Sequence, residues 1–289
     1  MMPIAMIIGV IFYPWLSVLA PVTPYLIFIM LFFTYSKMNF RAIRLTKMHY
    51  LLISIQTIGS VSVYLALRNY SEILAQGAMI CVLAPTATSA PVITYMLGGN
   101  LESLTAYSLL SNLTIIVGAP VFFSFVGSYQ DVPFLESFLK ISRQIVLLLF
   151  VPLLIAYLLR RFAPKTNDKI GEYSSFSFYI WTIALIIVTS KTVNFISIQG
   201  EESYMIEIWL ALATLVICIS QFLIGRKIGS QFNDTIAGGQ GLGQKNTVLT
   251  IWMSQIYLHP LASVGPGAYV LWQNAVNSYQ VWRKRKVLK

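Results

Sequence analysis

Ala84-Pro85-Thr86-Ala87-Thr88-Ser89-Ala90-Pro91 and Gly238-Gly239-Gln240-Gly241-Leu242-Gly243-Gln244-Lys245-Asn246 each interrupt a long apolar run near its middle. Neither stretch suits continuous helix. Pro91 lacks a backbone donor and clashes with the preceding turn, and the glycines of the second stretch loosen the backbone. Lipid offers no hydrogen bonds, so unwound chain at membrane depth survives only inside protein or beside a wet cavity. The hydroxyls of Thr86, Thr88 and Ser89 stand ready for freed backbone groups or for a ligand.

The runs around these breaks are membrane-like. Of 289 residues, 57% are apolar and 10% charged, where a soluble domain carries about 25% charged residues; mean hydropathy is +0.72. A span needs about 20 apolar residues, so the chain reads as an all-α polytopic membrane protein of about ten transmembrane helices in a single transporter domain, 1–289. The expected helices are Pro3–Leu19, Thr23–Tyr35, His49–Leu67, Glu72–Leu97, Leu101–Ser128, Pro133–Leu159, Ser174–Phe195, Tyr204–Gly225, Asp234–Tyr257 and Ala262–Val281. The fourth is expected to break near Pro85–Pro91 and the ninth at its four glycines. The halves 1–130 and 131–289 thus each hold five segments, the fourth of each being interrupted. Five is odd, so the halves are expected to insert as inverted repeats, with broken helices 4 and 9 crossing. Paired interrupted helices in inverted halves point to a secondary-transporter binding site. Gln56 and Gln221, each in the helix before a break, echo the repeat.

Charge fixes an expected orientation. The N-terminal side and even loops carry Lys37, Arg41, Arg44, Lys47, Arg160, Arg161, Lys165, Lys169, Arg226, Lys227 and the tail Arg283, Lys284, Arg285, Lys286 and Lys289. The odd loops hold only Arg68, Lys140, Arg143 and Lys191. Both termini are therefore expected in the cytoplasm and the chain in the inner cell membrane. The net charge of +10 is explained by topology, since nucleic-acid binding needs a basic face on a folded module; no nucleic-acid partner is expected. Met1 to Ala20 has no basic residue ahead of it and reads as a first span, not a cleaved signal. Cys81 and Cys218 lie in apolar segments, far from metal-type spacing, and read as buried inert thiols.

Lys245 is the most informative residue. A lysine near the bilayer centre costs about 2.5–3.5 kcal/mol even on lenient insertion scales. Glu72, Glu102, Glu136, Glu202 and Glu207 all fall near helix ends, so no carboxylate is expected beside it. Such an ammonium either sheds its proton or awaits an anion, and crossed half-helix N-termini would favour an anion at the same point. Lys245 lies too far from either end of its segment to snorkel. The run is no P-loop, because Gln244 replaces the glycine before the lysine and Asn246 the Ser/Thr after it. His49 and His259 sit at helix ends, and no Ser/His/Asp set, HExxH pattern or pair of intramembrane aspartates gives an enzyme its machinery.

Three stretches make the chain similar to the bile acid:sodium symporter superfamily: Pro85-Thr86-Ala87-Thr88-Ser89-Ala90 with Thr94-Tyr95 and Gly99-Asn100, then Gly243-Gln244-Lys245-Asn246, then Pro266-Gly267-Ala268 with Trp272-Gln273-Asn274. The resemblance implies that Thr88, Asn246, Gln273 and Asn274 face substrate, and that Gln56 belongs to a coupling-ion site. It also implies a bundle of helices 3–5 and 8–10 that holds the cargo and rocks against a panel of helices 1, 2, 6 and 7. Its Ser-Asn sodium ligands fall on Ala90 and Pro91, its helix 5 serine on Leu104 with Ser108 one turn on, its helix 9 glutamate on Gly241 or Gln240, and its glutamine on Lys245. Ser89, Ser108, Gln240, Gln244 and Lys245 are what is left of that site beside Gln56. Sodium wants a cage of oxygens, and a fixed charge stands where several are gone.

The expectation is a secondary transporter for a small organic anion, of monocarboxylate or sterol-acid type, working without sodium because the Lys245 ammonium replaces it. Thr88, Lys245, Asn246, Gln273 and Asn274 would bind the cargo. No cofactor is expected. A sodium- or proton-coupled symporter of the same fold, or an anion channel, is the alternative. Oligomeric state is not legible in the sequence.

Overall fold

The computed structural model describes residues 2–38, 43–127, 133–173, 176–199 and 204–287. Met1, Arg41, Ser128, Ser174, Glu202 and Lys289, named above, lie outside them. Among the described residues all regular structure is helical apart from one isolated antiparallel bridge, Thr86 with Lys245.

In chain order, α1 is Met2–Ile11, and α2 (Tyr13–Leu16) continues through a 3-10 stretch, Ser17–Val22, into α3 (Thr23–Ser36). The break expected after Leu19 is thus absent, and helix is interrupted at Phe12 instead. Pro14 and Pro24 occupy first turns, where a missing N–H costs nothing, and 3-10 winding carries the chain past Pro21. Next come α4 (Lys47–Leu67), α5 (Glu72–Leu83), α6 (Ala90–Leu97) and α7 (Leu101–Val126). Thr46 and His49 form the capping box of α4, and Gly98, at φ +71°, ends α6 in the left-handed conformation that suits glycine. The expected sixth helix is α8 (Phe134–Ile145) joined by a π turn, Val146–Phe150, to α9 (Val151–Phe162); the wider turn accommodates Pro152. A charged stretch expected as loop is helical, α10 (Pro164–Glu172), with Pro164 in its first turn and Asn167 donating 2.9 Å to the Ser36 carbonyl. Then follow α11 (Phe176–Gln199), α12 (Tyr204–Gln231, past its expected end at Gly225), α13 (Thr235–Gly243), α14 (Thr247–Tyr257) and α15 (Val264–Val287).

Six helical stretches among the described residues are long and apolar enough to cross a membrane: Tyr13–Ser36, Lys47–Leu67, Leu101–Val126, Phe134–Phe162, Phe176–Ile198 and Tyr204–Gln231. Their outer faces expose large apolar side chains such as Val18 (74%), Ile58, Val117 and Val216. Water penalises such area at about 25 cal/mol per Å²; lipid does not. The protein is a multi-pass membrane protein.

The described residues form two compact units. One draws on Met1–Arg41, Ile116–Ser203 and Ile251–Ser263, the other on Ala42–Ile115, Tyr204–Thr250 and Val264–Lys289. In the first, Gly9 lets α1 lie close on α11, where Ser190 Oγ donates to the carbonyls of Gly9 and Ile186. The second holds both interrupted runs. Its tightest contact corrects the expected role of the glycines. Gly238, Gly239, Gly241 and Gly243 do not break the ninth run; they are helical in α13, and the break falls at residues 244–246. A Cβ on Gly238 would stand 2.5 Å from the Gly225 carbonyl oxygen of α12, and one on Gly241 would stand 2.6 Å from the Tyr107 ring. Helix α13 therefore lies backbone to backbone on α12, and the glycines serve packing.

Candidate functional site

A helix leaves its last carbonyls without partners. At the end of α5 side chains from three other segments supply donors. Gln221 Nε2 donates to Cys81 O at 3.3 Å, and Gln56 Nε2 to Leu83 O at 2.7 Å. Lys245 Nζ donates to both Val82 O and Ala84 O at 2.9 Å. Lys245 is only 1% exposed. Burying a charge is costly unless it is paired and hydrogen-bonded, and a helix C-terminus, with its partial negative charge, favours a cation. The amino group therefore rests on backbone oxygens of the chain itself.

The two glutamines are held in turn. Tyr107 OH and Ser111 Oγ donate to Gln56 Oε1 at 2.8 and 3.1 Å. Gln221 Nε2 also donates to the Tyr269 oxygen at 3.1 Å, whose hydroxyl donates to Gly243 O at 2.8 Å. None of Tyr107, Ser111 and Tyr269 stood out in the sequence. The available signal was helical spacing: Tyr107 and Ser111, like Tyr269 and Gln273, are four apart and share a helix face.

The breaks meet through their backbones. Ala87 N donates to Gln244 O at 2.9 Å and Asn246 N to Pro85 O at 2.8 Å, while Thr86 Oγ1 donates to Gly241 O at 2.9 Å. Gln273 clamps the lysine's peptide groups, accepting from Lys245 N at 2.8 Å and donating to Lys245 O at 3.3 Å. Gln244 Nε2 reaches Ser89 Oγ at 3.0 Å. The unwound groups thus find partners within the protein, as lipid requires.

Two helix N-termini start from this junction. Ser89 precedes α6, and Asn246 precedes α14, its Oδ1 accepting from Leu249 N at 3.3 Å. That bond fixes the amide orientation, leaving Asn246 Nδ2 as a buried donor with no partner among the described residues. Thr88 is half-buried, and its hydroxyl makes no hydrogen bond among the described residues. Gln56, Ser89, Gln244, Lys245, Asn246 and Gln273 are linked through this junction. Asn274 turns back to the Val270 carbonyl of its own helix at 2.6 Å. Gln240 donates to Asn277 and Gln280 on α15, and half-buried Ser108 joins the junction through no side-chain bond among the described residues.

An all-helical, multi-pass chain in which two interrupted helices meet at a buried polar junction has the build of a membrane transporter. The model of the Sodium Bile acid symporter family matches residues 3–199, more than half the chain, and the chain belongs to that family, whose members are transporters. The match takes in the first break and ends before the second. No curated protein is significantly similar to the chain.

Proposed function

We propose that the protein is a sodium-independent secondary transporter of a small organic anion, in which the Lys245 ammonium stands where a relative would hold sodium. One observation carries the reading: Nζ lies 2.9 Å from each of two backbone carbonyls at a 1% exposed position. Carbonyl oxygens at a helix C-terminus suit a hard cation, and a tethered ammonium supplies that charge without entering or leaving. No ion is then consumed per cycle, which makes the protein a uniporter or exchanger. Ala90 and Pro91, which offer no side-chain oxygen where the family resemblance expects sodium ligands, fit the same reading.

The anionic cargo is proposed on the other ends of the broken helices. The N-termini of α6 and α14 carry partial positive charge, and Asn246 Nδ2 is a buried donor without a partner among the described residues. Thr88 and Asn246 would bind the cargo, with Gln273 holding Lys245 in place. In this reading ten spans form two inverted repeats in the inner cell membrane, with both termini cytoplasmic.

The test is a thermal-stability screen of the purified protein against pyruvate, 2-oxoisovalerate, pantoate and taurocholate, in sodium and in choline buffers. A binder stabilises the folded state by mass action. Equal stabilisation in both buffers, followed by equal uptake into proteoliposomes, is the expected result. Uptake that vanishes without sodium while Lys245 is intact overturns the proposal.

A further inference from the structure

On α15, Gln273 clamps the junction through the Lys245 peptide, and Asn277 lies one turn further along. Ser89, which precedes α6, touches the junction through Gln244, and Ile93 lies one turn further, on α6. Asn277 and Ile93 both line an open cavity of about 290 Å³, whose other walls include Met96, Asn274 and Trp282. That volume is at the small end of ligand pockets, about 300–1,000 Å³. The cavity therefore opens one helical turn, about 6 Å, from the junction.

Its polar wall is unevenly satisfied. Asn277 is 3% exposed, and its Oδ1 accepts from Gln240 Nε2 at 3.0 Å. Its Nδ2 is buried with no partner among the described residues. A buried amide donor without an acceptor is uncommon in a folded protein. Here it stands in the wall of a cavity otherwise lined largely by Ile93, Met96, Val281 and Trp282.

We propose that Asn277 is a specificity-determining residue: its Nδ2 donates to a second oxygen on the cargo, a hydroxyl or carbonyl about 6 Å from the anionic group. Gln240 is a positioning residue that bonds Asn277 Oδ1 and so holds the amide in place. The inference rests on the proposed anion site at the junction and narrows its cargo to acids that carry a second oxygen at that distance. A site built to hydrogen-bond a ligand oxygen discriminates strongly against an analogue lacking it, because the buried donor is then left unpaired.

The probes are 4-hydroxybutanoate and butanoate, with 1,4-butanediol and 1-butanol as uncharged counterparts, titrated calorimetrically into purified full-length protein. Wild type is expected to bind 4-hydroxybutanoate at least about tenfold more tightly than butanoate. Asn277→Leu should bring that ratio close to one and leave butanoate binding about unchanged, and the smaller Asn277→Ala should do the same if the leucine variant folds poorly. Acids that bind wild type equally, a preference that survives both substitutions, or no binding by any probe would each overturn the subsite. A diol preference that depends on Asn277, with neither acid bound, would uphold the subsite and overturn the anion reading instead.

Discussion

The Lys245 ammonium sits 2.9 Å from the carbonyl oxygen of Ala84, the residue that ends α5 161 positions earlier in the chain. A second carbonyl, Val82 O, lies at the same distance. The pair lets the buried amino group cap the helix. It also ties the second break to the end of the first broken helix.

Lys245→Met keeps an apolar stem but strips both carbonyls of their donor. Each buried acceptor left unsatisfied costs about 1–3 kcal/mol, so a marked fall in melting temperature is expected. Sodium chloride, compared with choline chloride, should restore part of it in the smaller Lys245→Ala variant, where a cation can enter the vacated space. A melting temperature of Lys245→Ala that ignores sodium would count against the carbonyls forming a cation cage.

Gln56 bridges Leu83 O to Tyr107 and Ser111 at 2.7–3.1 Å. Gln56→Ala unpairs three buried groups and is expected to cost about 3 kcal/mol or more in chemical denaturation. In a double-mutant cycle with Tyr107→Phe the two losses should fall short of additivity, as members of one network do. Simple additivity would separate them.

Gly238→Ala places a methyl 2.5 Å from the Gly225 carbonyl oxygen. Backbone cannot yield as a side chain can, and overpacking of this kind costs about 1–3 kcal/mol. Gly267→Ala in α15 meets nothing within 4 Å and should be neutral or stabilising by up to about 1 kcal/mol through helix propensity. Comparing the two melting temperatures checks whether close packing, not chain flexibility, is what the glycines of α13 supply.

Asn246→Asp retains the oxygen that caps Leu249 N and replaces the unpartnered amide donor with a negative oxygen. The fold should be kept, since Asp and Asn cap helix N-termini about equally. Anion uptake into proteoliposomes should drop by about tenfold or more through charge repulsion and loss of the donor. Unchanged uptake would move the anion elsewhere.

The sequence alone placed most of the apolar runs, located both interruptions to within a few residues and picked out Lys245. Those properties are local, because partition into lipid and helix breaking depend on neighbours along the chain. It misread the start of the chain, where prolines at Pro14, Pro21 and Pro24 are absorbed by first turns and 3-10 winding, and it took the glycines of α13 for a break. It also left open whether the lysine sheds its proton, awaits an anion or replaces sodium. Tertiary structure decided the role of the glycines, which match a backbone surface on α12, and supplied the lysine's partners, the carbonyls of Val82 and Ala84, more than 160 residues away. Such partners are backbone groups that every residue carries, so no side-chain pattern marks them, and only the folded approach of α5 to the second break brings them within hydrogen-bonding reach.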